Sequence, residues 1–153
     1  MLWLVICLSL TIVFLIDMPD RIIKLYCFFV PYFIIVVFPV LYLHLDYYSR
    51  NGGVKFIISE SGIVKKNYEK EIVYHINDFE TIEFVMTAGR ISAIARGGLP
   101  FVNYYYAKIR LKTSEEIIIT SLYSQGVEDA LIFNFKDKNV PIIYSKCFYP
   151  NVS

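Results

Sequence analysis

The chain has 153 residues, room for about one domain, and 56% of them are hydrophobic, with a mean hydropathy of +0.50. A soluble domain is about 45–50% apolar, so this excess argues against a wholly soluble chain. A formal net charge of +1 argues against nucleic acid or any strongly charged partner. The three cysteines, Cys7, Cys27 and Cys147, have no CxxC spacing, which argues against a disulfide framework or a zinc site.

The apolar excess lies before Asp46, where Asp17, Asp20, Arg21 and Lys24 are the only charged side chains. Leu2–Ile16 is an apolar run broken only by Ser9 and Thr11. As a helix it would reach roughly 22 Å, short of the ~30 Å hydrocarbon core. A signal peptide would need a basic start and a small-residue cleavage site. Neither is present: no Lys or Arg precedes the run, and Asp17-Met18-Pro19-Asp20 follows it with no A-x-A-like triplet. A membrane span is therefore expected. Leu25–Leu43 is uncharged and long enough for a second span of roughly 28 Å. Pro31 and Pro39 lie inside it, where a soluble helix would break but a membrane helix tolerates them. Tyr26 at one end and Tyr42, Tyr47 and Tyr48 at the other resemble aromatic belts. The link between the runs is so short that a helical hairpin is expected. The distribution of Lys and Arg favours a cytoplasmic C-terminal domain.

Asn51-Gly52-Gly53 reads as a joint. Beyond it, Val54–Ser59, Ile63–Lys66, Ile72–Ile76 and Ile82–Met86 alternate with the period of strands and are separated by turn residues. Thr87–Pro100, with Gly89, Gly97, Gly98 and Pro100, reads as a long hairpin connection, with room for a short strand over Ile91–Ala95, of the kind that often carries binding residues. Tyr105–Lys112 is the clearest strand, and Glu116–Thr120 returns beside it. Ser124 is placed to cap a helix from Gln125 to about Lys136, with Val127, Ala130, Leu131, Asn134 and Phe135 on one face. Ile142–Lys146 adds a last strand. The expected organisation is a transmembrane hairpin over residues 1–48, a joint over 49–53, a β-rich domain over 54–146 and a tail over 147–153.

This pattern resembles bacterial two-span membrane proteins that carry a pleckstrin-homology-like (PH-like) domain. The matching stretches are Phe56–Ile63, Ile72–Ile82 and Lys108–Ser121 with the helix after it. That family often has tryptophan where this chain has His75, and isoleucine where it has Phe79. The resemblance implies an α+β fold: an antiparallel, partly open β-barrel capped by a C-terminal helix. It supplies no catalytic residues. Together with the anchor and the missing catalytic set, it leads to the expectation of a membrane-anchored, non-enzymatic binding module at the cell membrane, with the bilayer and a protein as partners. Rival roles are self-protection against a bacterial toxin and a small subunit of a membrane complex.

The most suggestive surface feature is the stripe Lys108, Arg110 and Lys112 on one strand face. Three such cations suit anionic headgroups, but the plainer expectation is a solvated face neutralised by Glu115 and Glu116 across the hairpin. Arg90 and Arg96 flank the glycine-rich connection and are candidate partner contacts. Eukaryotic relatives bind phosphoinositides through a basic cluster on the first hairpin, where this chain has Lys55, Lys65 and Lys66. His44 and His75 have no accompanying ligand set, so no metal is expected. No G-x-S-x-G and no nucleophile with a base occurs, so neither catalysis nor a cofactor is expected.

Overall fold

The structure, a computed structural model, describes residues 21–92, 100–124 and 126–152. The apolar run Leu2–Ile16, the turn after it and Arg96 lie outside the described residues. The chain divides into two compact units, residues 1–41 and 42–153.

In the first unit the described chain is helical. Helix α1 covers Arg21–Tyr32, a π-helical turn covers Phe33–Val37, and helix α2 runs over Phe38–Asn51 into the second unit. The Phe38 N–H donates to the Phe33 carbonyl, five residues back. The wide turn has a local cause. Pro39 offers no N–H, and its ring crowds the carbonyl four residues earlier. Phe29–Asn51, 23 residues, is one helix long and apolar enough to cross a membrane. Phe29, Phe33, Ile34 and Phe38 are all exposed.

The second unit holds two sheets. The first is the meander β1 (Lys55–Ser59), β2 (Gly62–Lys66) and β3 (Glu71–His75). Turn residues and β-branched strands dictate it. Gly62 has φ +148°, and a Cβ there would run into the Tyr74 carbonyl, so only glycine lets β2 start so close to β3. A 3-10 turn, Ile76–Asp78, leads to β4 (Phe79–Thr87). Helix α3 (Ala88–Ile91) and a second 3-10 turn (Pro100–Asn103) precede β5 (Tyr105–Leu111) and β6 (Glu116–Thr120). Helix α4 (Val127–Phe135) and β7 (Ile142–Cys147) complete the fold. The second sheet has the order β6-β5-β4-β7.

The core lies between the sheets. Phe56 and Ile63 face Ile82, Phe84, Ile109 and Ile119, and α4 adds Val127, Leu131 and Phe135. Phe135 packs edge-on against Phe79 at 5.5 Å. Full burial of each such side chain stabilises by about 1.5–3 kcal/mol.

Four expectations are corrected. First, the barrel is not closed: among the described residues two separate sheets stand where a single, partly open antiparallel barrel was expected. No ladder joins β1 to β6. Instead, the Tyr123 hydroxyl accepts from the Phe56 N–H (3.0 Å) and donates to the Phe56 carbonyl (3.1 Å). Asn51 likewise donates to the Ile118 carbonyl (2.9 Å) and accepts from the Thr120 N–H (2.8 Å). Second, β7 pairs with β4 in parallel. Helix α4 carries the chain back to the end of the sheet where β4 begins, so the strand after it runs the same way. Third, the connection after β4 opens with a helical turn, capped by the Thr87 hydroxyl accepting from the Arg90 N–H at 3.4 Å. Fourth, α4 starts at Val127, because the Ser124 carbonyl and hydroxyl engage the N–H groups of Val127 and Gly126 in a turn.

Candidate functional site

The alternation of β5 puts Tyr105, Ala107, Ile109 and Leu111 on the core side and Tyr106, Lys108 and Arg110 on the outer face. In register, Lys108 opposes Glu83 on β4, and Arg110 opposes Glu116 on β6. Glu116 Oε1 lies 2.9 Å from Lys108 Nζ and 3.6 Å from Arg110 Nε. The hydrogen bond from Lys108, followed by the charge of the two cations, holds the Glu116 carboxyl below its usual range despite its partial desolvation. The Ser145 hydroxyl donates to Glu83. The outer face is thus a lattice of two cations and two carboxylates. Lys112 lies one residue beyond β5, exposed in the turn, where its N–H donates to the Asp78 carbonyl at 2.9 Å.

Arg90 is not part of that face. It sits at the other end of β5, its guanidinium 4.0 Å above the Tyr105 ring and 3.1 Å from Glu128 Oε2 on α4. The Tyr105 hydroxyl accepts from the Glu128 N–H at 3.3 Å. Arg90 therefore ties α3, β5 and α4 together. Two open clefts flank it. One of about 480 Å³ is lined by Asn103, Tyr104, Tyr105, Ser121 and Leu122, and one of about 530 Å³ by Met86, Ile91, Glu128 and Tyr144. The Ser121 hydroxyl already accepts from the Tyr105 N–H at 3.1 Å. In the second cleft the Tyr144 hydroxyl meets the Glu128 carboxylate, and burial followed by that negative charge and hydrogen bond raises the pKa of Tyr144.

The lysines of the first hairpin do not converge. Lys55 and Lys66 oppose each other across β1 and β2, Lys65 alternates to the other face, and Lys66 pairs with Glu71 at 2.8 Å. Among the described residues, no group of three His, Cys, Asp or Glu side chains is placed to hold a metal ion.

The structure also corrects the aromatic belt: Tyr47, expected at a bilayer interface beside Tyr42 and Tyr48, is buried in the second unit, in a cluster that local pattern does not show. On α2, Leu43 and Tyr47 are fully buried in the second unit. The Tyr47 hydroxyl donates to the Pro150 carbonyl at 2.7 Å. Asp46 Oδ2 accepts from the Val152 N–H at 2.9 Å, and Arg50 Nη2 donates to the Val152 carbonyl at 3.0 Å. The C-terminal segment is strapped to the helix, and Tyr42 stacks on Tyr149 at 6.3 Å. The i,i+4 spacing of Asp46 and Arg50 was the one local signal. Their backbone partners lie about a hundred residues away and leave no trace in local pattern.

A family model described as a PH domain matches residues 1–125. Comparisons with curated proteins and with solved structures return no match.

Proposed function

The chain belongs to the PH domain family, and on that premise we propose that it is a membrane-anchored, non-enzymatic binding module. The observation behind this is the apolar helix Phe29–Asn51, which runs directly into the PH-like unit. In this reading the helix anchors, and Leu2–Ile16 supplies a second span on the strength of its sequence alone, completing a hairpin. The Lys and Arg distribution supports a cytoplasmic domain.

The contact surface in this reading is the outer face around Lys108, Arg110 and Lys112. Its interleaved carboxylates, Glu83 and Glu116, favour a protein partner of mixed charge over an anionic lipid surface. Arg90, engaged by Glu128 and Tyr105, serves the fold, and Arg96 stays a candidate contact from sequence.

Alkaline carbonate extraction of membranes containing the full chain tests the anchor. Retention in the membrane pellet is expected, and release into the supernatant would overturn the proposal. Orientation is read with a membrane-impermeant thiol reagent. Cys147 is a poor reporter, because burial raises its thiol pKa and so lowers the thiolate fraction that reacts. Lys138→Cys in a Cys147→Ser background gives an exposed thiol in the turn after α4. Labelling only after lysis is expected for a cytoplasmic domain.

A further inference from the structure

The pairings of the second sheet give the C-terminal unit two chemically different ends. Thr87, Tyr105, Thr120 and Cys147 mark one end, and Phe79, Leu111, Glu116 and Ile142 mark the other. The turns at the second end expose Asp78, Lys112, Glu115, Lys136, Asp137 and Lys138. The first end carries the Arg90–Glu128 pair and exposed Lys146, but where the C-terminal segment meets α2 it is aromatic. Phe148 is 85% exposed, although it touches Phe101 at 6.2 Å. Tyr149 bridges Phe101 (5.6 Å) and Tyr42 (6.3 Å). Tyr42, Leu45 and Tyr48, exposed at 51%, 59% and 64%, share one face of α2, away from buried Leu43 and Tyr47. The nearest charges on this helix, Asp46 and Arg50, are turned onto the C-terminal strap.

We propose that Tyr42, Leu45, Tyr48 and Phe148 form a lipid-contact surface that lies in the headgroup–acyl boundary of the bilayer. This rests on the membrane anchoring proposed above. Exposure alone does not single out Phe148, since Phe133 on α4 is 84% exposed; what marks the set is that Phe148 adjoins Tyr149, which stacks on Tyr42 beside exposed Leu45 and Tyr48. A boundary layer suits the set, because tyrosine offers an apolar ring and a hydroxyl that reaches water. The occupant is lipid because Tyr42 continues, residue for residue, a helix whose preceding turns expose Phe33, Ile34 and Phe38. The strap matters too: by binding Asp46 and Arg50 it removes charge from the face and holds Phe148 beside the helix.

The test uses the full chain with Trp3→Phe as a background free of tryptophan, reconstituted in phosphatidylcholine vesicles. Phe148→Trp reports on the surface and Thr113→Trp, in the turn between β5 and β6, on the opposite end. With lipids brominated near the glycerol, the Phe148→Trp variant is expected to lose about half its emission, and the Thr113→Trp variant none. Equal emission from both variants, in vesicles that still carry the chain after an alkaline wash, would overturn the surface and leave the anchor standing. Shielding of the Phe148→Trp variant from acrylamide without quenching by brominated lipid would put protein there and overturn it as well. Loss of the chain from washed, floated vesicles would overturn both proposals.

Discussion

Tyr47 shows how much a single side chain does here. Its ring packs edge-on against Tyr104 (5.5 Å) and Tyr106 (6.4 Å), and its hydroxyl satisfies the Pro150 carbonyl. Tyr47→Phe keeps the ring and deletes the donor, leaving a buried carbonyl unpaired. The expected loss is about 1–2 kcal/mol of unfolding free energy, read by chemical denaturation. The Val152 amide is expected to exchange faster with solvent in the same variant. Glu116 behaves differently because its pairs are near the surface. Glu116→Gln is expected to change stability by no more than about 1 kcal/mol. The carboxyl titrates below its ordinary range in the folded chain. Its stabilisation is therefore complete above the unfolded-state value and is lost as pH falls through the lowered folded value. A pH series of denaturation midpoints should show the wild type converging on Glu116→Gln only in acid.

Among the elements, β2 depends on one residue. Gly62 opens the strand at φ +148° with its hydrogens against the Tyr74 carbonyl. Gly62→Ala must push β3 away or strain the backbone, and a cost of about 1–3 kcal/mol is expected, seen as a lower thermal midpoint. Helix α4 was legible from its apolar spacing, since Val127, Leu131 and Phe135 are its buried residues. Its start was not, because Ser124 chose a turn over a cap. The stripe Lys108–Arg110 was also legible, since alternation alone places both on one face. What lies around it was read only in part: Glu116, across the hairpin, pairs with both cations, while Glu83 stands opposite Lys108 in register on β4, a strand distant in sequence.

For the molecule as a whole, the helix that leaves the apolar segment is also part of the C-terminal unit. The second compact unit begins at Tyr42, and Leu43 and Tyr47 are in its interior. A fragment beginning at Val54 discards both side chains and the Asn51 bonds to β6. It is expected to be less stable than one beginning at Tyr42 by about 3–6 kcal/mol, counting two buried side chains. Thermal unfolding of the two fragments checks this.

By itself the sequence determined what depends on neighbours a few residues apart. That covers the apolar helix, the strand alternation of β1 to β6, the amphipathic face of α4 and the resemblance to a PH-like chain. Periodicity and turn chemistry are local properties, and one sequence displays them. Tertiary structure alone decided the division into two sheets, the parallel entry of β7, the placing of Arg90 against Tyr105 and Glu128, and the strap over Asp46, Tyr47 and Arg50. Each of these is a meeting of residues far apart in the chain. Its stability comes from burial and hydrogen-bond pairing that exist only once the core has formed.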